Sequence, residues 1–197
     1  MNPVGAAGEG AVTYIYRPSL LGGAWEFKLT DRGLDWSAGN KRGRVAWRDV
    51  RRVRMSFRPV SMQTKRYMTE IWLEGAPKLE IISSSWKSMV EQERLDDAYS
   101  AFVGELHRRL ARAGTTARFE QGRNPLIYWP GLGVFAAVAF GLAGMVVRSL
   151  QAKVVTGALM VAAFLALFLW QGGNYFRRNR PGTYRPDALP AELLPKR

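Results

Sequence analysis

Residues 126–147 read LIYWPGLGVFAAVAFGLAGMVV, 22 positions without a charged side chain. At about 1.5 Å of rise per residue, a helix over them reaches about 33 Å, enough for a hydrocarbon layer of about 30 Å. Immediately beyond, residues 154–170 add 17 uncharged positions, and neutral residues extend that run to 176. Two transmembrane helices are therefore predicted, 126–147 and 154–176, and the short link of residues 148–153 forces them into an antiparallel hairpin.

The flanks of these segments agree with that reading. Tyr128 and Trp129 open the first span, and Trp170 and Tyr175, with Phe176, close the second, where amphipathic rings favour the headgroup layer. Arg118 and Arg123 precede the hairpin and Arg177, Arg178 and Arg180 follow it, against Arg148 and Lys153 in the link. This bias predicts a multi-pass protein of the cell (inner) membrane with both termini in the cytoplasm. Neither span contains Asp, Glu, Lys, Arg or His, so an ion path or proton relay built by this chain alone is not expected. Gly133, Ala137 and Gly141 recur every four residues on the first helix, as do Ala158, Ala162 and Ala166 on the second. Such narrow faces are expected to zip the two helices together, and they would also serve a homo-oligomer.

The remaining residues have a different composition. The whole chain of 197 residues carries a formal charge of +13, no cysteine and one histidine, which excludes disulfides, thiolate chemistry and multi-histidine metal sites. No metal or other cofactor is expected. Residues 1–125 hold 21 basic and 14 acidic side chains, and residues 41–66 alone hold ten basic ones against Asp49. The opening MNPVGAAGEG lacks a secretory signal's basic start and apolar stretch, so residues 1–10 are expected to be disordered and the following domain to remain cytoplasmic.

Residues 11–82 alternate β-branched and aromatic positions with polar ones, broken by turn signals. AVTYIYR and AWEFKLT are followed by the turn Asp31-Arg32-Gly33, LDWSAG, and a second turn over residues 39–43. In RVAWRDVRRVRMSF the apolar register slips between Trp47 and Val50, predicting a bulge or a short helical turn at Arg48-Asp49. YMTEIWLEG and KLEIISS complete the set. Ser88 to Glu91 matches a capping box, and Leu95, Tyr99, Phe102, Leu106 and Leu110 form the apolar stripe of a helix that Gly114 can end. Several antiparallel strands closed by one amphipathic helix predict an antiparallel barrel or sandwich over residues 11–114, then a juxtamembrane linker over 115–125.

DRGLDW, VAWRDVRRVRM and QERLDDAYSAFVGELHRRL, set beside two transmembrane helices, resemble bacterial membrane-anchored pleckstrin-homology-like domain proteins. The resemblance covers about residues 11–113 and implies a fold and a class of protein: interaction or membrane-surface modules without catalysis. It carries over no individual binding residue.

The sharpest candidate site is the basic segment Lys41, Arg42, Arg44, Arg48, Arg51, Arg52, Arg54, Arg58, Lys65 and Arg66. Held close to a bilayer, such a cluster suits anionic headgroups, each basic residue near the surface contributing about 1 kcal/mol, or an acidic protein partner. Nucleic acid is not expected, because no recognition motif accompanies the charge and Trp36, Trp47, Tyr67 and Trp72 at strand spacing read as core or half-buried rings. His107 reads as a surface or helix-end histidine, and Ser83, Ser84 and Ser85 as turn and cap residues. Asp49, Glu70 and Glu74, the acidic residues from position 41 through 75, have no legible catalytic partner, so no enzyme is expected. The tail, residues 177–197, is basic and proline-rich and is expected to lack a packed fold. Together these readings give a non-enzymatic module presenting a basic domain to lipid headgroups or a partner at the membrane. The alternative is an accessory or assembly subunit of a larger membrane complex.

Overall fold

The computed structural model describes residues 11–20, 22–59, 65–88 and 92–195. It forms two units, Met1–Gln121 with Gly182–Arg197, and Gly122–Pro181. The first is β-rich, and the second consists of two long apolar helices.

In the first unit, β1 (Val12–Tyr16), β2 (Trp25–Thr30), β3 (Gly33–Ala38) and β4 (Lys41–Ala46) pair in chain order as an antiparallel sheet. Strand alternation sends Tyr14, Phe27, Leu29, Leu34, Trp36 and Val45 to the buried face. Gly33 lets β3 approach β4: a Cβ there would collide with the Val45 carbonyl. The predicted second turn is shorter than expected, since Lys41, Arg42 and Gly43 already pair with Ala38, Ser37 and Trp36.

The register slip before Val50 is a 3-10 turn, Trp47–Asp49, which carries the chain from β4 into β5 (Val50–Phe57). β5 pairs with β6 (Tyr67–Leu73), and β6 with β7 (Leu79–Ile82), all antiparallel. Ser84 and Ser85 are not turn residues: β8 (Ser84–Trp86) pairs with β9 (Gln92–Arg94), and the Ser83 and Ser85 hydroxyls accept backbone bonds from Tyr67 and Arg17. This hairpin takes the place of the first turns predicted for the helix. Met89, Val90 and Glu91 of the predicted capping box lie outside the described residues, as do residues 1–10, and α1 spans Asp96–Arg112.

The helix closes the core. Tyr99, Phe102, Val103, Leu106 and Leu110 are buried, with the Tyr14 ring 5.3 Å from Phe102. The Tyr99 and Thr69 hydroxyls share a 2.7 Å hydrogen bond, and the Tyr14 hydroxyl donates to the Ile82 carbonyl at 2.7 Å. These bonds tie α1 and the first sheet to the second, and burial pushes both phenols above their ordinary range.

Two expectations for the ends of this unit are corrected. The predicted linker contains β10 (Arg118–Gln121), parallel to β5. The tail is packed as well: β11 (Gly182–Thr183) pairs antiparallel with β10, giving the order β11-β10-β5-β6-β7. Beyond it Tyr184 donates its amide to the Phe119 carbonyl at 3.1 Å, and a 3-10 turn, Ala191–Leu193, packs on β5 with Leu193 buried. Prolines bar a long helix here, yet they leave edge pairing and the anchoring of single side chains available.

In the second unit, α2 (Pro125–Gln151) and α3 (Val155–Arg178) run antiparallel, and both are long and apolar enough to cross a membrane. Asn124 caps α2 by accepting from the Leu126 amide at 3.1 Å. Phe135 stacks on Phe168 at 4.7 Å and fits over Gly172, where a Cβ would collide with its ring. The helices are joined more tightly than expected: the reversal is confined to residues 152–154, with Lys153 at φ 59° and the Val154 amide bonded to the Ser149 carbonyl at 2.9 Å. Of the six small residues predicted to zip the hairpin, two are covered. Ala158 is buried and Ala162 half-buried, but Ala166, Gly133, Ala137 and Gly141 are exposed. A Cβ on Gly133 or Gly141 would meet nothing within 4 Å. The packed seam of α2 is offset from that stripe because Phe135, not the glycines, fills the interface.

Candidate functional site

A strand shows alternate residues to opposite faces, so a run of cations in sequence divides on folding. Lys41, Arg42 and Arg44 lie on β4, an edge of the first sheet, while Arg51, Arg52 and Arg54 lie on β5 of the second, with Arg48 in the turn between. The ten residues therefore do not form one face. On β4, Arg44 makes two hydrogen bonds to Asp35, at 2.5 and 2.7 Å, and these hold the Asp35 carboxyl below its usual range. Arg42 and Arg44 line a shallow open groove of about 410 Å³ with Glu26, Lys28 and Asp35.

Most of the β5 cations are matched. Arg51 pairs with Glu74, and Arg48 lies 3.7 Å from Asp49. Arg54 bonds to Glu120 of β10, and Arg52 stands 3.8 Å from the same carboxylate with its guanidinium 3.9 Å over the Trp72 ring. Glu70, almost wholly buried, accepts from Arg58 at 3.2 Å and from Lys78 at 2.8 Å, and Lys78 also reaches Glu80 at 2.7 Å.

The antiparallel register aligns these groups in rungs: Arg52 opposite Trp72, Arg54 opposite Glu70, Ser56 opposite Met68. One step past Phe57 and Tyr67, the Arg58 amide bonds to the Arg66 carbonyl at 2.8 Å, so the next rung is arginine opposite arginine. The Nε of each is buried and without a partner among the described residues. Burial, and then the charge of Arg58, lower the pKa of Arg66. Lys65 beside them is exposed.

His107 is corrected from a surface residue to a fully buried one. Its Nδ1 lies 2.7 Å from the Val103 carbonyl and its Nε2 2.7 Å from the Tyr184 hydroxyl. A carbonyl only accepts, so Nδ1 carries the proton and Nε2 accepts from Tyr184. Burial pushes the imidazole pKa down to about 4. The rings of His107, Phe119 and Tyr184 lie 5.6–5.7 Å apart, joining α1, β10 and the tail. Tyr184 and Leu193 were missed as packing residues. The available signal was a large ring and a leucine pair in a segment otherwise rich in proline.

In the helical unit Trp129 and Trp170 are exposed, whereas Tyr128 is buried and donates to the Phe176 carbonyl at 3.2 Å, and Tyr175 accepts from Arg123 at 2.8 Å. Arg177 and Arg180 are exposed, and Arg178 donates to Asn174 at 3.2 Å. The two tyrosines thus fasten the helix ends to each other rather than standing free. Among the described residues, no group of three or more His, Cys, Asp or Glu side chains could hold a metal ion. In comparison with known proteins, no family model, no curated protein and no solved structure matches this chain.

Proposed function

We propose that the chain belongs to the class of membrane-anchored interaction modules: the helical hairpin spans a bilayer, and the β-rich unit works at the surface of one leaflet. More particularly, we read that unit as a non-enzymatic pleckstrin-homology-like domain that presents cations to anionic headgroups on the cytoplasmic side of a bacterial inner membrane.

The observation that carries this reading is where the hairpin is inserted. Gln121, the last residue of β10, is the register partner of Gly182, the first of β11, and the whole helical unit lies between them in sequence. Adjacent positions of one sheet cannot be on opposite sides of a bilayer, so a spanning hairpin must start and finish on the same side, where the positive flanks also gather. The helices support the reading independently, because almost none of their apolar windows is covered within the chain. An apolar surface of that size in water would be strongly unfavourable. The four-strand meander, the second sheet and α1 support the reading as a β-rich unit with one amphipathic helix, to which β8–β9, β10 and β11 are additions.

The test is hydrogen exchange on the full chain in nanodiscs of neutral lipid and of mixed neutral and anionic lipid. Protection of the β-rich unit that appears with anionic lipid and weakens with salt is the expected result. Equal exchange in both discs would reject the headgroup reading. A fragment ending at residue 120 would not serve, because it lacks β11, Tyr184 and Leu193.

A second reading, an accessory subunit packed against other membrane helices, is favoured by one observation: the Gly133-Ala137-Gly141 stripe is exposed and has no use within the hairpin.

A further inference from the structure

Like charges directly opposite each other on neighbouring strands destabilise a sheet. Such a pair persists where something of opposite sign offsets it. Arg58 and Arg66 are that kind of pair, and the nearby carboxylates do not complete them: Glu70 is shared between Arg58 and Lys78, and Lys78 also takes Glu80. Arg66 itself makes no ion pair within 4 Å among the described residues, the Glu80 carboxylate only partly offsetting burial and the charge of Arg58, and Lys65 adds a further exposed cation. The local excess is therefore positive, on groups whose buried Nε atoms have lost water without gaining an acceptor among the described residues.

The position of the rung supplies the rest. β10 runs parallel to β5, with Arg118 beside Arg52 and Gln121 beside Met55. Both strands therefore point their C-terminal ends the same way, and the Arg58–Arg66 rung stands at the end of the sheet from which the chain departs into α2. Arg48 and Arg51, with Glu74, belong to the opposite end. In sequence, residues 122–124 link β10 to α2.

We infer that the Arg58–Arg66 pair, with Lys65, is a phosphate site that takes the headgroup of an anionic membrane lipid, the phosphate oxygens bridging the two guanidiniums. This rests on the headgroup reading above and narrows it from ten cations to three. Guanidinium suits the task because its planar donors match phosphate oxygens, and an arginine pair can hold one anion from two sides.

The experiment is native mass spectrometry of the full chain released from nanodiscs of mixed phosphatidylcholine and phosphatidylglycerol, for the wild type, Arg66→Gln and Arg51→Gln. Arg66→Gln breaks no ion pair among the described residues, so loss of fold is not its expected effect. The expected result is preferential retention of phosphatidylglycerol by the wild type and by Arg51→Gln, reduced about fivefold in Arg66→Gln, the factor for one charge near the surface. Arg66→Lys should recover part of the retention. Retention by Arg66→Gln equal to the wild type's would overturn the site while leaving the headgroup reading intact. No preference for phosphatidylglycerol in the wild type would overturn both. A third arm adds inorganic phosphate to discs of phosphatidylcholine alone: thermal stabilisation as large as that given by phosphatidylglycerol would replace the lipid with a free anion and overturn the assignment.

Discussion

The two ends of β5 carry the same side chain in opposite circumstances. At its beginning and middle, Arg51, Arg52 and Arg54 meet Glu74, Glu120 and the Trp72 ring, so their charge is largely answered inside the fold. At its end Arg58 faces Arg66 and shares its carboxylate with a lysine. A sum over the sequence counts all five alike. The sheet register decides which cations remain available to something outside the chain, and it selects the end that leads to the hairpin.

The strongest way to break this contrast is to remove the buried carboxylate on which the last rungs depend. Glu70→Gln leaves Arg58 and Lys78 without their shared acceptor in a place poorly reached by water, and it should cost about 3 kcal/mol. Arg51→Gln, which breaks an ion pair between two exposed side chains, should stay within about 0.5 kcal/mol of the wild type. Urea denaturation of the full chain in detergent, followed by tryptophan fluorescence, measures both. Equal effects would mean that burial does not separate the two ends of the strand.

A second test concerns the tail, whose packing depends on a neutral imidazole. The His107 pKa is about 4 in the folded chain, against about 6.5 when unfolded. A lowered folded value means that the unfolded chain binds the proton first. The contribution is therefore complete above about pH 6.5 and is lost as pH falls through the interval to about 4, amounting to about 3 kcal/mol at the acid end. The same denaturation series between pH 7 and pH 4 should show this slope, and His107→Gln should flatten it. Tyr184→Phe removes the donor to Nε2 and should cost about 1 kcal/mol at neutral pH.

These cases mark what was legible beforehand. The hairpin was readable because a charge-free run of 22 residues has one main use, and α1 because its apolar spacing repeats over several turns. The 3-10 turn at Arg48-Asp49 was readable as a broken alternation. The pairing of β10 with β11 was not, since four residues and two carry no periodicity, and their partnership spans the entire helical unit. His107 was placed on the surface because its cover comes from Tyr184, 77 positions away. Arg58 and Arg66 were both in the basic segment, but their opposition follows from the register alone.

The hairpin repeats the same distinction with uncharged residues, and there the expected effect is smallest. Gly172 and Gly133 are the same residue on facing helices, yet a Cβ at Gly172 would strike the Phe135 ring and one at Gly133 would meet nothing. Gly172→Ala should therefore lower the stability of the chain by about 1–3 kcal/mol through overpacking. Gly133→Leu with Gly141→Leu should change it by less than about 0.5 kcal/mol, because the added side chains enter what surrounds the hairpin rather than its seam. Thermal unfolding in detergent separates those outcomes. Extraction of the natively expressed double variant in its own lipid then decides what the exposed stripe is for. Loss of a stoichiometric membrane partner, with stability unchanged, would assign the stripe to a helix of another protein. Retention of the same particle as the wild type would leave the stripe facing lipid and remove the observation that favours the accessory-subunit reading.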